Sequence, residues 1–578
     1  MKLATIARAV LLAAFSLPWL ALADTPARLM PDTAVAYVEV SKAGAVTDRL
    51  LDQKLHGMLS RSSGYAAYLE SDDYAKVQLA VSLIESQLGR KWPQIVRDLS
   101  GSWYLSADPA SDSVLLMIRP TRLETLSELQ STLKQMVEAD AASRGKSSPV
   151  QSKEYEGVTG WTFGPGEFHG QIDGMLVVSN KAEALKRVVD RSKDSSQTGL
   201  AGTPEFKQAR ELAPSGEVAW GFARLAAIRQ LPKVQKALEA KSSNPLGELL
   251  LGGLLDAARN APVAVASLHA EGSDLKLRTT IPYNAAKDAG ARRWFFGQDP
   301  SAAALPPLRP KGTLASFTIS RGVSVMWSSR EEIFDEATAA KMAQADSGLG
   351  LYFGGNDFGT DILGQLSPRM QLVVARQEFS ADKPVPALKL PAAALVLQMN
   401  DPEKFTNTLL LAYQKVVGLA NLIGGQQGKP QLLLGAEVHA GVSISKAEFL
   451  TNPGQSTKDA AVYYNASPAC ARVNDRFIFS TSTQLTRDLI DLVKSPDATR
   501  PTKDNTRIDL DPKLIASALD DNRESLISQN MLKEGHTREQ AERDVNLLLE
   551  ALRSLKDASL RLAAEEQAIV FEVAAGVK

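Results

Sequence analysis

The chain has 578 residues, with 65 Lys plus Arg against 66 Asp plus Glu and a formal net charge of −1. That balance gives no electrostatic reason to expect nucleic acid or an anionic membrane surface as partner. A hydrophobic fraction of 44% with 39 Gly and 29 Pro excludes collagen-like, wholly disordered and polytopic membrane chains, and a single cysteine, Cys470, excludes an intramolecular disulfide and a multi-cysteine zinc site.

The first residues read as an export signal. Lys2 and Arg8 supply a positive region, Ala9 to Leu20 an apolar stretch interrupted by Pro18, and Ala21-Leu22-Ala23 a small-x-small site. Cleavage is expected between Ala23 and Asp24, which makes residues 1–23 a signal peptide. An uncleaved anchor is the alternative. No later segment has 18 or more consecutive apolar residues, so no transmembrane segment is expected in the mature chain. The expected location is the periplasm or the extracellular space.

Alternation at Ala34, Ala36, Val38 and Val40 predicts a half-buried strand. The spacing of Val46, Leu50, Leu51, Leu55, Met58 and Leu59 predicts a helix over 44–60. Residues 102–107 and 113–119 read as a hairpin. Near Thr121 a helix begins, with Leu126, Leu129, Leu133 and Met136 on its apolar face. Residues 172–190 read as a strand followed by a helix, with Asn180 and Glu183 spaced as a capping box. A second hairpin is expected at 262–270 and 274–281, around Glu271-Gly272-Ser273-Asp274.

The second half repeats this order. Residues 473–491 match 172–190 at an offset of 301, with Thr481 and Gln484 in place of Asn180 and Glu183. Ile362–Ser367 matches Ile95–Ser100, and Ala394–Leu397 matches Val114–Met117. Asp401-Pro402 starts a helix over 402–422 whose apolar face is Phe405, Leu409, Tyr413 and Val416. Leu314–Ile319 resembles Ala34–Val40. The shared order reads as an internal duplication. The expected fold class is α+β: two tandem related modules, each a largely antiparallel curved sheet with helices packed on one face. The first module is placed at 24–298 and the second at 313–578. A Pro/Ala-rich linker over 299–312 joins them.

The strand-forming start Leu29–Val40 directly after the signal segment, and the strand-then-helix unit at 173–190, resemble large exported bacterial proteins grouped as domain of unknown function 3352. The resemblance implies an extracytoplasmic location and no known activity. Its motifs are hydrophobic patterns without reactive residues, so no functional residue carries over.

Motifs that carry chemistry are mostly eliminated. Gly424–Pro430 lacks the spacing and the hydroxyl of a phosphate-binding loop and reads as a flexible loop. Asp357-Phe358-Gly359 lacks every companion motif of a kinase and reads as part of a turn. The five histidines, His56, His169, His269, His439 and His536, show no metal-ligand spacing. Glu534, His536 and Glu539 form the tightest trio of metal-ligand types. Thr537 and Gln540 explain that stretch as a capping box. Cys470 has no neighbour to lower its pKa and reads as a small buried residue. One surface hint remains: Arg292, Arg293, Trp294, Phe295 and Phe296 form a candidate docking patch, with a packing anchor as the alternative. No catalytic residue, metal or cofactor is expected. The expected function is an exported, non-catalytic binding or scaffolding protein of the cell envelope. Its partner would be an envelope protein, peptide, glycan or lipid. The alternatives are an envelope hydrolase with a site assembled between the two modules, with Asp357 and Asp361 as candidate acids, or a carrier of a hydrophobic ligand.

Overall fold

The computed structural model describes residues 26–51, 57, 65, 68–283, 290, 292–296, 303–379, 384–449, 460–500, 502–565 and 567–578. The signal segment, Ala23 and Asp24, most of 52–67 and the start of the linker, 299–302, lie outside the described residues. The chain divides into two compact units. The first is Met1–Leu231 with Ala261–Thr280, and the second is Pro232–Asn260 with Ile281–Lys578.

The first unit contains β1 (Ala36–Val40), β2 (Ser102–Asp108), β3 (Ser113–Arg119), β4 (Gln151–Tyr155), β5 (Val158–Thr162), β6 (Phe168–Ile172), β7 (Met175–Ser179), β8 (Ala219–Arg224), β9 (Val263–Glu271) and β10 (Asp274–Pro282). Every pairing is antiparallel, and the order is β4-β5-β6-β7-β3-β2-β1-β8-β9-β10. The second unit contains β11 (Thr313–Ser320), β12 (Leu366–Ala375), β13 (Ala392–Met399), β14 (Leu432–His439), β15 (Val442–Phe449), β16 (Ala469–Val473), β17 (Arg476–Ser480), β18 (Thr506–Leu510), β19 (Leu555–Glu565) and β20 (Ala568–Val577). Its order is β14-β15-β16-β17-β13-β12-β11-β18-β19-β20, again antiparallel throughout. Each strand of one unit thus has a counterpart at the same place in the other. The class is α+β.

Helices cover both faces of the strands, not one. In β3, Leu115 and Met117 join a core with Leu185, Val188 and Val189 of helix Ala182–Lys193. The alternate residues Leu116 and Ile118 pack with Leu126 of helix Leu123–Ser143. The second unit repeats this. Val396 and Ile478 lie under Leu485, Leu489 and Val493 of helix Thr483–Lys494. Met399 and Phe477 lie under Phe405, Leu409 and Tyr413 of helix Pro402–Gln426. The reason is written in the strands. A run such as Val-Leu-Leu-Met-Ile is apolar at every position, so both of its faces leave water.

Local chemistry corrects three readings. Asn180 and Thr481 do not cap their helices, which start one residue later without a side-chain cap. Asn180 Oδ1 accepts from Val114 N at 2.8 Å, and Thr481 Oγ1 accepts from Ala393 N at 2.9 Å. Each therefore ties the end of one strand to the start of its neighbour. Those pairings also move the match between β3 and β13 by one residue. Leu115 faces Ser179 and Ala394 faces Ser480, so Leu115 is equivalent to Ala394. Finally, helix Pro402–Gln426 runs through Gly424 and Gly425, and its buried face ends in Val417, with Val416 exposed. Asp401 caps that helix as expected, its side chain accepting from Lys404 N at 3.2 Å ahead of Pro402. Thr537 and Gln540 form the expected capping box.

One ion-pair network supports the β14–β15 hairpin. Arg487 holds both carboxylate oxygens of Glu437, at 2.6 and 2.8 Å, and Lys446 lies at 3.2 Å. The bonds from Arg487, aided by Lys446, bring the Glu437 carboxyl from its ordinary 4.5 down to about 2. A depressed folded pKa means that the folded state binds fewer protons between those values. The stabilisation is present above about 4.5 and is lost as pH falls toward about 2. Glu437→Gln should cost about 1 kcal/mol at neutral pH, a modest figure because the pair is partly solvated. Urea denaturation across pH should show wild type and variant converging as pH falls through that window.

Candidate functional site

The proposed docking patch is a packing anchor. Trp294, Phe295 and Phe296 are all buried, Phe295 completely, and only Arg293 is exposed. Arg292 is buried with them. Its guanidinium bonds Glu248 and reaches Asp256 at 3.1 Å. Helix Pro245–Asn260 carries both acids and has Gly253 against the rings. A Cβ at Gly253 would collide with Phe295. Three consecutive aromatics are all buried because residues 292–296 form turns rather than a helix, so no single helical face limits them.

Beside them sits Arg321, only 1% exposed and without a carboxylate partner among the described residues. Its Nε donates to Leu249 O at 2.8 Å, its Nη2 to Thr506 Oγ1 at 2.6 Å, and its Nη1 to Asn505 Oδ1 and Ser320 O. The guanidinium lies 3.6 Å from the Phe295 ring centre. Burial pushes its pKa down to about 9, so it remains charged at neutral pH.

The other sequence candidates are occupied locally. Asp357 accepts from Thr360 N at 2.6 Å, and Asp361 accepts from Asp357 N at 3.0 Å. Both side chains are exposed and close one turn after Gly354 and Gly355. His169 is buried against Glu167 and the Phe163 ring. His439 pairs with Asp491 at 2.9 Å, and His536 with Asp544 at 3.1 Å. His269 lies on β9 opposite Lys276, and His56 is outside the described residues. Burial pushes the Cys470 thiol up to about 12, which removes it as a nucleophile. Among the described residues, no group of three His, Cys, Asp or Glu is placed to hold a metal ion.

Two features were not foreseen from the sequence. The first is a cavity of about 500 Å³ in the second unit. Arg500, Lys503, Arg507, Arg561, Asp504 and Thr318 supply its polar lining, and Leu305, Pro306 and Pro307 its apolar wall. That wall is the described end of the linker. It is strapped down by Thr318 Oγ1 donating to Leu305 O and Gln371 Nε2 donating to Pro306 O, both at 2.7 Å. The strand register explains the opening. Gln371, Thr318, Arg507 and Arg561 lie in one row across β12, β11, β18 and β19. The same row in the first unit is Tyr104, Glu39, Trp220 and Ser267. There helix Pro204–Leu212 covers it: Phe206 packs edge-on to Trp220 at 5.5 Å, and Arg210 lies 4.9 Å over the same indole. Among the described residues, the second unit has no helix between Lys494 and β18, only a short 3₁₀ turn at Pro496–Thr499. Gln371 and Arg507 stand where the first unit has the aromatic Tyr104 and Trp220. The available signal was Arg561 set between Leu560 and Leu562 on β19.

The second feature is an uncovered apolar face. Leu411, Leu419, Leu422 and Ile423 of helix Pro402–Gln426 are 55, 50, 62 and 47% exposed. No charged residue occurs between Lys415 and Lys429. β14, held to the helix by paired bonds from Asn421 to Leu432, also exposes Leu433 and Leu434.

Among the described residues, no helix is long and apolar enough to cross a membrane. No protein-family model matches the chain, and no curated protein matches it. Among solved structures, crystal form IV of TP0453 is 11% identical with a TM-score of 0.25, over 45% of this chain and 80% of that one. Crystal form I of TP0453 gives 10% identity and a TM-score of 0.24, over 46% and 81%. At that distance the likeness carries no argument about function.

Phe295→Ala should cost about 3–5 kcal/mol, because it opens a cavity and removes the ring under Arg321. Arg293→Ala should stay within about 0.5 kcal/mol. Urea denaturation compares them, and equal stabilities would refute the packing role. The Cys470 thiol should resist a thiol reagent at neutral pH in the folded protein and react fully once denaturant is added.

Proposed function

We propose that the chain is an exported, non-catalytic binding or scaffolding protein of the cell envelope, built from a duplicated α+β module. In this reading the two copies have diverged, and the resemblance to the exported bacterial proteins of domain of unknown function 3352 supports the extracytoplasmic location. In one copy a further helix covers the helix that follows β3, and in the other the equivalent helix presents a surface to a partner. The export signal at residues 1–23 and the linker over 299–312 belong to the same proposal.

The single observation that carries the reading is the apolar face of helix Pro402–Gln426. Its counterpart after β3 is helix Leu123–Ser143, whose Leu129, Leu133 and Val137 pack against Ala80 and Ile84 of helix Asp72–Leu88 and against Ile95. An amphipathic helix from the same unit therefore closes that side. The second unit leaves Leu411, Leu419, Leu422 and Ile423 in water. On this reading the face takes the apolar stripe of an amphipathic helix, supplied by a partner envelope protein. An exposed apolar patch of this kind on a folded chain marks an interaction surface.

A photo-crosslinking residue at Leu422 tests this in the native envelope. The expected result is one partner, captured reproducibly through a helical segment. A peptide of that segment should then bind the purified protein. Leu419→Glu with Leu422→Glu should weaken it more than tenfold, since each leucine contributes about 1.5–3 kcal/mol. Both positions are exposed, so the melting temperature should hold. Crosslinks only to lipid or to a second copy, or none, would overturn the reading.

A further inference from the structure

Arg507 of β18 lies directly opposite Arg561 of β19 in the strand register, and Thr318 of β11 lies opposite Arg507. Like charges set across a ladder repel one another. Asp504 answers both: it accepts from Arg561 Nε and lies 3.6 Å from Arg507 Nη1. It is one carboxylate for two guanidiniums. Asp509 takes the Nε edge of Arg507 at 3.0 Å but is shared with Arg309 at 2.7 Å. Arg500 and Lys503 add two more cations to the lining, and neither side chain has a hydrogen-bond or ion-pair partner among the described residues. The lining therefore holds four cations and a single acid, Asp504.

An unfilled positive excess of this kind suits an anion with more than one charge. A monocarboxylate would satisfy one guanidinium and leave the rest. A phosphate ester brings up to two charges and several acceptor oxygens, which match Arg500, Lys503 and the donors that Asp504 and Asp509 leave to Arg507 and Arg561. A volume of about 500 Å³ lies in the range of small-ligand sites. Leu305, Pro306 and Pro307 offer an apolar wall beside the charges, where the organic part of an ester can rest. Thr318 is committed to the strap, and Thr502 Oγ1 donates to Ala304 O at 2.5 Å, so the hydroxyls hold the wall.

We propose that the cavity between the strap 304–307 and strands β18 and β19 binds a phosphate ester, with Arg500, Lys503, Arg507 and Arg561 as its anion-binding groups. The phosphate belongs either to a soluble ester or to a lipid headgroup. The site is independent of the apolar helix face.

Calorimetric titration of the full chain tests it with four probes: glycerol 3-phosphate, inorganic phosphate, citrate, and phosphatidylcholine vesicles doped with phosphatidic acid. Binding of a phosphate-bearing probe, falling with added salt, is the expected result. Preference for glycerol 3-phosphate identifies a soluble ester, and preference for the doped vesicles a headgroup. Arg500→Gln and Lys503→Gln should each weaken binding about tenfold or more. Both residues are exposed, so their melting temperatures should match wild type. Lys311→Gln, outside the cavity and paired with Glu378, should bind as wild type. The proposal fails if no phosphate-bearing probe binds, if citrate binds more tightly than all of them, or if removing Arg500 and Lys503 changes nothing.

Discussion

Met117 and Ile118 are neighbours on β3, and both are nearly out of water on opposite sides of the strand. That pair states the constraint on which the fold depends. A central strand with two apolar faces must be covered twice. Each unit meets this with one helix directly after its hairpin β6–β7 or β16–β17 and another directly after β3 or β13. Those two helices land on opposite sides. The remaining elements follow from what the covers leave over. The outer side of helix Leu123–Ser143 is closed by a further helix layer, while most of the outer side of helix Pro402–Gln426 stays bare.

Buried charge makes a second demand. A guanidinium taken out of water needs every donor engaged, because desolvation costs several kcal/mol. Arg321 answers with carbonyls, an amide, a hydroxyl and an aromatic face, and Arg292 with two carboxylates. The two arginines meet the same small set of elements: helix Pro245–Asn260, the aromatic turn 292–296, and the starts of the segments around β11 and β18. The excursion 232–260 thereby belongs to the second unit although it leaves the first between β8 and β9. Contact geometry and chain order disagree here, and polar bonds of this kind explain why.

Much of the architecture was legible in the residues. Alternation and turn chemistry located both hairpins of the first half within a residue or two, and Asp401-Pro402 marked a helix start to the residue. The α+β class followed from those patterns. The number of faces to be covered did not, because a short apolar run such as Val114–Ile118 gives no period to say which residues share a side. The docking patch failed for a related reason. Three adjacent aromatics break a helical face, but residues 292–296 are not helical. The cavity was the least visible feature. Thr318, Arg507 and Arg561 are far apart in sequence, and only the register of β11, β18 and β19 brings them into one row.

That row also explains how one scaffold can hold two different interiors. In the first unit, Glu39 on the equivalent row is buried, accepts from the Tyr37 hydroxyl at 2.8 Å, and is pushed up by burial. Helix Pro204–Leu212 seals it with Phe206, and Arg210 beside it bonds Glu217 at 2.5 Å. The acid sits behind a lid of its own unit. In the second unit the described residues from Lys494 to β18 form no such helix, and the row has no aromatic cover among the described residues. Apolar residues left there would face water. Arginines tolerate such a position, because their long stems can pack while their heads stay hydrated. The lack of such a helix among the described residues and Arg507 at the register position that Trp220 holds in the first unit are two parts of one difference. The first makes room, and the second makes the room polar and positive. A closed core and an open cationic cavity are the two stable outcomes of the same strand order.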